Sequence, residues 1–468
     1  MSPNKDVANV IAALDARFER TLEELVELAR IPGVSADGFD PGEVMRSAEC
    51  AARLCRAAGL ENVEVVQHPG AHPYVLGDWL HAGDDAPTAL IYAHHDVQPP
   101  GRPARWLSPA FEPTRRDGRM YGRGVVDDKA GLLLHLAALR AWLETSGALP
   151  INVKLIVEGE EEIGSPHLGE FLRAHLERLR ADVIVLSDTA NLATGLPSLT
   201  TSLRGLVGIE VSVRALDHPI HSGMWGGPVL DAATALVRVL SRLVDDRGAL
   251  TVPGLEDDLP EITPTERDRL KALPFDEAMF RSDAGMLGSS RFTGDAASSV
   301  YERVWLRPAI SVIALESVQI ANATNQLIDI ARARVSVRVA PGQDPQRVQR
   351  VVADWLRRDP PWGAEVTTEF ETASAGWRTE PVGPAFDAAR RAMSRGFERD
   401  AVAIGCGGSI PFVGPFSETM GSAPALLLGL EDPVCNAHGE NESLCLEDFR
   451  KASRAAVYLL DELGRALR

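Results

Sequence analysis

The sequence predicts an α/β protein with a mixed, mainly parallel sheet flanked by helices, and a smaller α+β domain inserted into it. Two styles of strand lead to this prediction. Up to about residue 190 the candidate strands are continuous apolar runs between helical stretches, such as ALIYA (89–93) and DVIVLSD (182–188). Such runs are typical of strands buried on both faces. After Gly205 apolar and polar residues alternate, as in LVGIEVSVRA (206–215), which is typical of a sheet with one solvent-exposed face.

The remaining elements follow in order along the chain. The first 31 residues predict one amphipathic helix that ends before Pro32, and residues 129–147 a second, apolar helix. Another alternating strand, at 331–342, precedes a helix at 344–359. From about residue 379 continuous apolar runs return, and the chain closes with a helix at 446–467. We therefore expect three segments: 1–205 and 379–468 for the larger domain and 206–378 for the insert. Residues 246–300, rich in proline and charge, give no clear pattern.

Composition excludes some functions. The formal net charge of the 468 residues is −18, which argues against binding to nucleic acid or to an anionic membrane. The five cysteines form no C-x-x-C pair, which fits a reducing compartment better than a disulfide scaffold. The start of the chain has no signal-peptide pattern, and no apolar span reaches 18 residues. We expect a soluble, cytoplasmic protein.

Residues that can bind metal follow four apolar runs. Because open α/β sheets gather their ligands at the carboxyl ends of strands, one edge of the sheet could hold all of these sites. The first run leads into His94-His95-Asp96, the second into Glu160-Glu161-Glu162, the third ends at Asp188 and the fourth leads to His438. A fifth candidate, Asp127, lies between a glycine-rich turn and the start of a helix.

These polar residues at the strand ends also have ordinary structural explanations. His94 could be a hydrogen-bonded histidine at a strand end, Asp127-Asp128 an N-cap pair, and the three glutamates a solvated charge cluster. Strand alternation points His94 and Asp96 the same way, so Asp96 can hold the ring N–H of His94. His221 stands out among the other histidines, because small residues in PIHSGMWGGP (219–228) let a backbone approach closely.

Charge balance favours two metal ions over one. Two divalent ions bring four positive charges, and a bridging hydroxide with Asp127, Glu162 and Asp188 brings four negative charges. Such ions lie roughly 3.5–4 Å apart in two-metal sites. A single zinc would leave the site overcharged. Glu161 would then stay outside the coordination shell as a general base.

Seven motifs in order resemble one family. They are YAHHDVQPP (92–100), YGRGVVDDKAG (121–131), EGEEEIGSP (158–166), VLSD (185–188), HSGMWGGP (221–228), GGSIP (407–411) and NAHGENE (436–442). Together they resemble the di-zinc peptidases that comprise aminoacylase, carboxypeptidase G, the succinyl-diaminopimelate desuccinylases and the carnosine-type dipeptidases, with the dipeptidase branch most similar. The resemblance covers essentially the whole chain and implies a ferredoxin-like insert that serves as lid and dimerisation domain.

The resemblance also implies roles for single residues. His94 and Asp188 would bind one metal, Glu162 and His438 the other, and Asp127 would bridge both. Asp96 would orient His94, and Glu161 would be the general base. His221 would stabilise the oxyanion in the active site of a dimer partner. The substrate carboxylate would bind to Arg338, Gly407, Gly408 and Ser409, while Asn325 aligns only loosely with a polar lid residue.

The implied activity is metal-dependent hydrolysis of the amide bond next to a C-terminal amino acid, by a dipeptidase or carboxypeptidase-type enzyme that uses a metal-bridged hydroxide. Two divalent ions are expected, zinc first, with manganese or cobalt as alternatives. One departure concerns Gly405 and Cys406, where many dipeptidase relatives carry Arg-Glu. If that glutamate holds the substrate amine, its loss favours an N-acyl- or N-carbamoyl-amino-acid amidohydrolase. A catalytically silent binding protein on this fold would be expected to lack a ligand or the base, and neither is missing.

Overall fold

The computed structural model describes residues 5–468, with the side chains of all of these except 5, 6 and 372. The helices are α1 (Lys5–Ala16), α2 (Phe18–Ala29), α3 (Pro41–Ala57), α4 (Lys129–Ser146), α5 (Leu168–Ala174), α6 (Leu176–Leu179), α7 (Ser222–Trp225), α8 (Ala232–Leu240), α9 (Pro264–Ala272), α10 (Glu277–Asp283), α11 (Val300–Trp305), α12 (Pro345–Arg357), α13 (Pro384–Phe397), α14 (Val413–Thr419) and α15 (Leu446–Ala466). The strands are β1 (Glu61–Val66), β2 (Tyr74–Trp79), β3 (Thr88–His94), β4 (Thr114–Arg116), β5 (Arg119–Tyr121), β6 (Asn152–Glu158), β7 (Val183–Ala190), β8 (Ser198–Leu203), β9 (Gly205–Arg214), β10 (Ile220–His221), β11 (Ala309–Glu316), β12 (Gln326–Leu327), β13 (Ile330–Val339), β14 (Glu365–Ser374), β15 (Trp377–Arg378), β16 (Val402–Cys406), β17 (Ala425–Glu431) and β18 (Ser443–Cys445). Within the described residues, no helix is both long and apolar enough to cross a membrane.

The chain divides into two compact units. The first comprises the residues up to Thr201 together with Glu380–Ile404 and Phe412–Arg468. The second comprises Ser202–Thr379 and the short segment Gly405–Pro411. The sequence pattern placed residues 405–411 in the last part of the larger domain, whereas they pack with the second unit.

The first unit is built on a mixed sheet with the strand order β1-β2-β6-β3-β7-β17-β8. In its centre β3 runs parallel to β6 and β7, and β17 runs parallel to β7. The pairs β1–β2, β2–β6 and β17–β8 are antiparallel. Apolar side chains of the flanking helices α1–α4, α13 and α15 complete one large core with the sheet. The predicted mainly parallel sheet flanked by helices is therefore confirmed.

The carboxyl ends of four central strands lie at one edge of the sheet. Strand β3 ends at His94, β6 at Glu158, β7 at Ala190 and β17 at Glu431. Because these four strands are parallel, the chain leaves them at the same edge of the sheet. The segments that follow them are thereby brought together.

The N-terminal segment differs from the prediction. In place of one helix there are α1 and α2, which meet at Arg17, whose backbone has φ −103° and ψ 4°. The end of α2 is tied to the start of α4, since the buried Lys129 Nζ donates to the carbonyl oxygens of Leu28, at 3.1 Å, and Ile31, at 3.0 Å. A cation is favourable at the carbonyl end of a helix. This contact fixes the beginning of α4, two residues after Asp127.

The second unit is an antiparallel sheet with the order β11-β13-β9-β14, covered on one face by α8 and α12. Along the chain its elements run β9, α8, β11, β13, α12, β14, which is the ferredoxin-like arrangement expected from the resemblance. The alternating side chains Val207, Ile209, Val211 and Val213 of β9 are all buried in its core. Within residues 246–300, the segment without a clear pattern, lie the short helices α9 and α10.

Candidate metal centre

One carboxylate lies between two histidines at the carboxyl edge of the parallel strands. His94 Nε2 lies 3.0 Å from Asp127 Oδ1. On the other side, His438 Nε2 lies 2.9 Å from Asp127 Oδ2. Each oxygen of Asp127 therefore faces a different imidazole.

Two further carboxylates complete the two groups. Asp188 Oδ2 lies 3.8 Å from His94 Nε2, and Glu162 Oε2 lies 3.2 Å from His438 Nε2. Two ligands of a tetrahedral ion with bonds of about 2.0 Å lie about 3.3 Å apart. In both groups, His94–Asp127–Asp188 and Asp127–Glu162–His438, one donor atom per residue lies within 4.8 Å of the others. The geometry and chemistry of the donors fit two divalent cations that share Asp127.

The electrostatics of the site also favour cations. Burial raises the pKa of the Asp188 carboxyl, and burial followed by the charge on Asp127 raises the pKa of Glu162 to about 7. Burial lowers the pKa of His94, but its contacts with Asp127 and Asp188 outweigh burial and raise it well above the ordinary value. So many buried carboxylates repel one another unless positive charge lies among them. Bound cations would supply that charge.

The ring of His94 is oriented for ligation. Its Nδ1 lies 3.1 Å from the backbone oxygen of Asp96 and 3.4 Å from Asp96 Oδ1. A proton on Nδ1 leaves the lone pair of Nε2 directed at Asp127 and Asp188. Asp96 thus lies beside the ring as expected, although its backbone oxygen is the nearer acceptor. His95 turns away, with Nε2 2.9 Å from the backbone oxygen of Pro73.

The Asp96 carboxylate also holds the glutamate segment in place. It accepts hydrogen bonds from Ser35 Oγ at 2.6 Å, from the Glu161 amide at 3.2 Å and from the Glu162 amide at 3.1 Å. One side chain therefore fixes both the end of β3 and the turn that follows β6. This role was not visible in the sequence, because it depends on the contact between two distant segments.

The three consecutive glutamates have three different environments. Glu160 is buried and accepts hydrogen bonds from Tyr74 Oη at 3.0 Å and from the His167 amide at 2.9 Å. Glu162 faces His438 and accepts from the Gln98 amide at 3.0 Å. The Glu161 carboxylate belongs to neither metal-binding group. The explanation of the run as a solvated charge cluster is therefore wrong.

The N-cap explanation of Asp127-Asp128 is also wrong. Asp128 occupies the N-cap position of α4, but its side chain makes no capping hydrogen bond. Instead its Oδ2 accepts from the His94 amide at 3.2 Å. Asp127 points to the two histidines. Both aspartate side chains therefore contact His94 at the end of β3, and Asp128 does not cap the helix.

Two carboxylates near the site were missed by the sequence analysis. Glu442 accepts from the amides of Gly124 at 3.0 Å and Val126 at 3.1 Å, and it pairs with Arg123 at 2.6 Å. It fixes the loop that delivers Asp127, and its only sequence signal is its position four residues after His438. Glu431 ends β17, and burial, together with the charge on Asp127, raises its pKa well above the ordinary value.

His221 and Asn325 lie in the second unit. His221 precedes α7 and is exposed, and its Nδ1 accepts hydrogen bonds from the amides of Gly223 at 3.1 Å and Met224 at 3.2 Å. A neutral ring then carries its proton on Nε2, which leaves a donor directed away from the helix. Asn325 contributes its backbone oxygen, which accepts from Ser222 Oγ at 2.8 Å. It thereby holds the segment that presents His221.

The expected carboxylate-binding residues meet within the second unit. Arg338 Nη1 donates to Ser409 Oγ at 3.0 Å. Arg204, which the sequence analysis missed, donates from Nε to the carbonyl oxygen of Gly407 at 3.1 Å and from its amide to that of Gly408 at 3.1 Å. Burial, followed by the charge of Arg338, lowers the pKa of Arg204 to about 10. At this loop the guanidinium group of Arg338 suits a carboxylate, while Arg204 holds the loop backbone.

The departure at residues 405 and 406 has a steric basis. A Cβ on Gly405 would lie 2.5 Å from Trp305 Cβ and 2.6 Å from Ser202 Oγ, so no larger residue fits there unless Trp305 moves. Cys406 Sγ accepts from the Gly408 amide at 3.3 Å. The thiol thus takes part in the turn that shapes the loop 407–409.

We expect Glu442→Ala to damage the centre without removing a ligand. It would leave Arg123 buried without its anion, at a cost of about 3–5 kcal/mol in the free energy of unfolding. It would also release the loop that carries Asp127, so metal affinity should fall about 10–100-fold. Urea unfolding of the metal-free protein and metal titration measure the two effects.

The matched control is Glu440→Ala in the same loop. Glu440 pairs with Arg102, whose side chain is 71% exposed, so the loss should leave the free energy of unfolding nearly unchanged. If both variants lost similar stability and bound metal equally well, Glu442 would have no positioning role.

The family comparisons agree with this geometry. The model of "Peptidase family M20/M25/M40" matches residues 90–462. A cysteinylglycine-S-conjugate dipeptidase of Corynebacterium striatum is 33% identical over 99% of this chain and 100% of its own length. The Cys-Gly metallodipeptidase dug1 of Schizosaccharomyces pombe is 28% identical, over 96% of this chain and 97% of its own.

A solved structure with the same fold is that of human carnosine dipeptidase 1. It superposes with a TM-score of 0.83 and 25% sequence identity, covering 98% of this chain and 99% of that chain. The match to the family extends over most of the chain and includes every residue of the candidate metal centre.

Proposed function

Since the chain belongs to peptidase family M20/M25/M40, we propose that it is a metal-dependent dipeptidase that hydrolyses the amide bond next to a C-terminal amino acid. The observation that carries this proposal is the Asp127 carboxylate between His94 and His438. The relatives named above as dipeptidases support the substrate class, with cysteinylglycine and its S-conjugates as first candidates.

Two divalent ions would be held by the residues of the two groups. Zinc is the first choice, and manganese or cobalt would suit the carboxylate-rich set as well. His94 and Asp188 would hold one ion, Glu162 and His438 the other, and Asp127 both. When bound, such ions polarise an amide carbonyl and lower the pKa of a water molecule.

Glu161 would act as general base and then as general acid. Its carboxylate is not needed for either metal-binding group, and its amide is anchored to Asp96. It would take a proton from the attacking water and return it to the leaving amine. Asp96 contributes by holding the segment still.

His221 and Arg338 would act on the substrate. With Nδ1 engaged by two amides, the Nε2–H of His221 can donate to the oxygen on which negative charge develops. Arg338, with Ser409 and the backbone of Gly407 and Gly408, would bind the C-terminal carboxylate.

The second unit would serve as lid and as dimerisation domain. Strand β11 is an edge of its sheet and exposes the apolar side chains Val312, Ile313 and Leu315. Unpaired edges with exposed apolar residues invite a further strand. A second copy of the chain, paired through β11, would form a homodimer in which His221 serves the partner's site. A cytoplasmic location remains part of the proposal, because five cysteines without a C-x-x-C pair suit a reducing compartment.

A hydrolysis panel tests the activity directly. The chelator-stripped protein is reloaded with zinc, manganese or cobalt and offered dipeptides alongside N-acetyl, N-succinyl and N-carbamoyl amino acids. We expect cleavage of dipeptides only after metal is restored. Cleavage of the blocked amino acids alone would indicate an amidohydrolase instead. No cleavage with any metal would favour a binding protein.

Substitution of the neighbouring residues Glu161 and Glu160 distinguishes a catalytic role from a structural one. Glu161→Gln should lower kcat about 10²–10⁴-fold while metal content and thermal stability stay near wild type, since only the general base is lost. Glu160→Gln, in contrast, should lower thermal stability, because Glu160 is buried and hydrogen-bonded to Tyr74 and His167. A Glu161→Gln enzyme with wild-type kcat would exclude this base.

The dimer can be tested at the two edges of one sheet. Ile313 on β11 is 61% exposed and Phe370 on the opposite edge strand β14 is 53% exposed. Ile313→Asp should halve the mass measured by light scattering and lower activity, because His221 would lose its partner site. Phe370→Asp should leave both unchanged. An Ile313→Asp protein with unchanged mass would show that β11 is not the interface.

A further inference from the structure

The second unit contains a cavity that the proposed hydrolysis does not use. Its volume is about 450 Å³. This falls in the range of about 300–1,000 Å³ that is common for small-molecule sites. Apart from Arg204, its lining residues lie between Val244 and Ile310, and most of them belong to residues 246–300, the segment without a clear sequence pattern.

One part of the cavity wall is apolar. It is formed by aromatic and aliphatic side chains, among them Leu250, Phe280, Phe292 and Val300. Phe280 and Phe292 pack edge to face, with 5.7 Å between ring centroids. Such a wall favours a ligand with an apolar body.

Three arginines, Arg204, Arg303 and Arg307, form a second part of the wall. Arg307 is paired with Glu302 at 2.7 Å. Within residues 5–468, Arg204 and Arg303 make their hydrogen bonds to carbonyl oxygens and form no ion pair. Arg303 uses Nη1 to reach the carbonyl oxygen of Thr293 at 2.7 Å, and its Nη2 makes no hydrogen bond to the described residues. Unused guanidinium donors at a cavity wall are suited to a carboxylate.

Carboxylates also reach the cavity, so the wall is not uniformly basic. Asp295 is occupied by its own turn, where it accepts from the Ala297 amide at 2.9 Å and from Ser298 Oγ at 3.3 Å. Glu256 is exposed at the cavity wall. An ammonium group beside Glu256 would be favourable, whereas a second carboxylate there would not.

The cavity adjoins the loop 407–409 through shared residues. Arg204 lines it and also holds the carbonyl oxygens of Gly407 and Gly408. Val304 lines it too, and a Cβ on Gly407 would lie 3.2 Å from Val304 Cγ1. The cavity therefore lies directly against the loop that contains Ser409, the hydrogen-bond partner of Arg338.

We propose that this cavity is a second ligand site, which binds a small carboxylate with an apolar body through Arg204 and Arg303. A free amino acid with an apolar side chain fits the cavity best. Its carboxylate would bind to the arginines, and its ammonium group would lie beside Glu256. The site requires neither the metal ions nor Glu161. Ligand binding to the cavity can therefore be tested independently of the proposed hydrolysis.

Calorimetric titration of the metal-loaded protein tests the proposal with three matched probes: L-leucine, 4-methylpentanoate, which lacks the ammonium group, and L-leucinamide, which lacks the carboxylate. We expect binding of leucine and of 4-methylpentanoate, and at least tenfold weaker binding of leucinamide. Tighter binding of leucine than of 4-methylpentanoate would identify an amino-acid site, and equal binding a general carboxylate site.

Variants locate the binding. Arg303→Leu should weaken leucine binding at least tenfold. Arg238→Leu, an exposed arginine of α8 that does not line the cavity, should have no effect. Val300→Trp keeps every arginine and fills the cavity, so it should abolish binding, and thermal unfolding verifies that each variant is folded. Unchanged leucine affinity in both folded cavity variants, or no leucine binding in the wild type, would overturn the proposal.

Discussion

The division of one carboxylate between two histidines is the constraint on which the rest of the centre depends. Asp127 can face His94 and His438 together only if its backbone is fixed between the end of β3 and the loop that carries His438. Glu442 provides that restraint by binding the amides of Gly124 and Val126 while it neutralises the buried Arg123. A buried ion pair, Arg123–Glu442, therefore holds the candidate centre, and it contacts the backbone rather than the side chains of the candidate ligands.

The parallel sheet explains why residues so distant in sequence can meet. His94 and Asp188 lie at the ends of two strands, and Glu162 and His438 lie in the segments after two others, but the chain leaves all four strands at one edge. Asp96 then joins two of these strand ends, since its carboxylate binds Ser35 and the amides of Glu161 and Glu162. Crowding of buried carboxylates is unfavourable in itself, and the two groups around Asp127 are suited to cations that would relieve it.

Local patterns were sufficient for the elements and for the strand-end residues, because both depend on short stretches of chain. The break between α1 and α2 at Arg17 was missed, since no glycine or proline marks it. The roles of Glu442 and Arg204 could not be predicted, because each depends on contacts across more than 200 residues of chain. Glu160 was indistinguishable from Glu161 by composition, and only the hydrogen bonds to Tyr74 and His167 separate a structural glutamate from the proposed base.

Metal content of two single-ligand variants tests the shared carboxylate most directly. The number of ions per chain is measured by elemental analysis after dialysis against limiting zinc, for the wild type, Asp127→Ala and Asp188→Ala. If Asp127 is shared, the wild type holds about two ions, Asp188→Ala keeps about one, and Asp127→Ala loses both. If Asp127→Ala retained one tightly bound ion, as Asp188→Ala does, the carboxylate would serve a single metal and the centre would not be built around it.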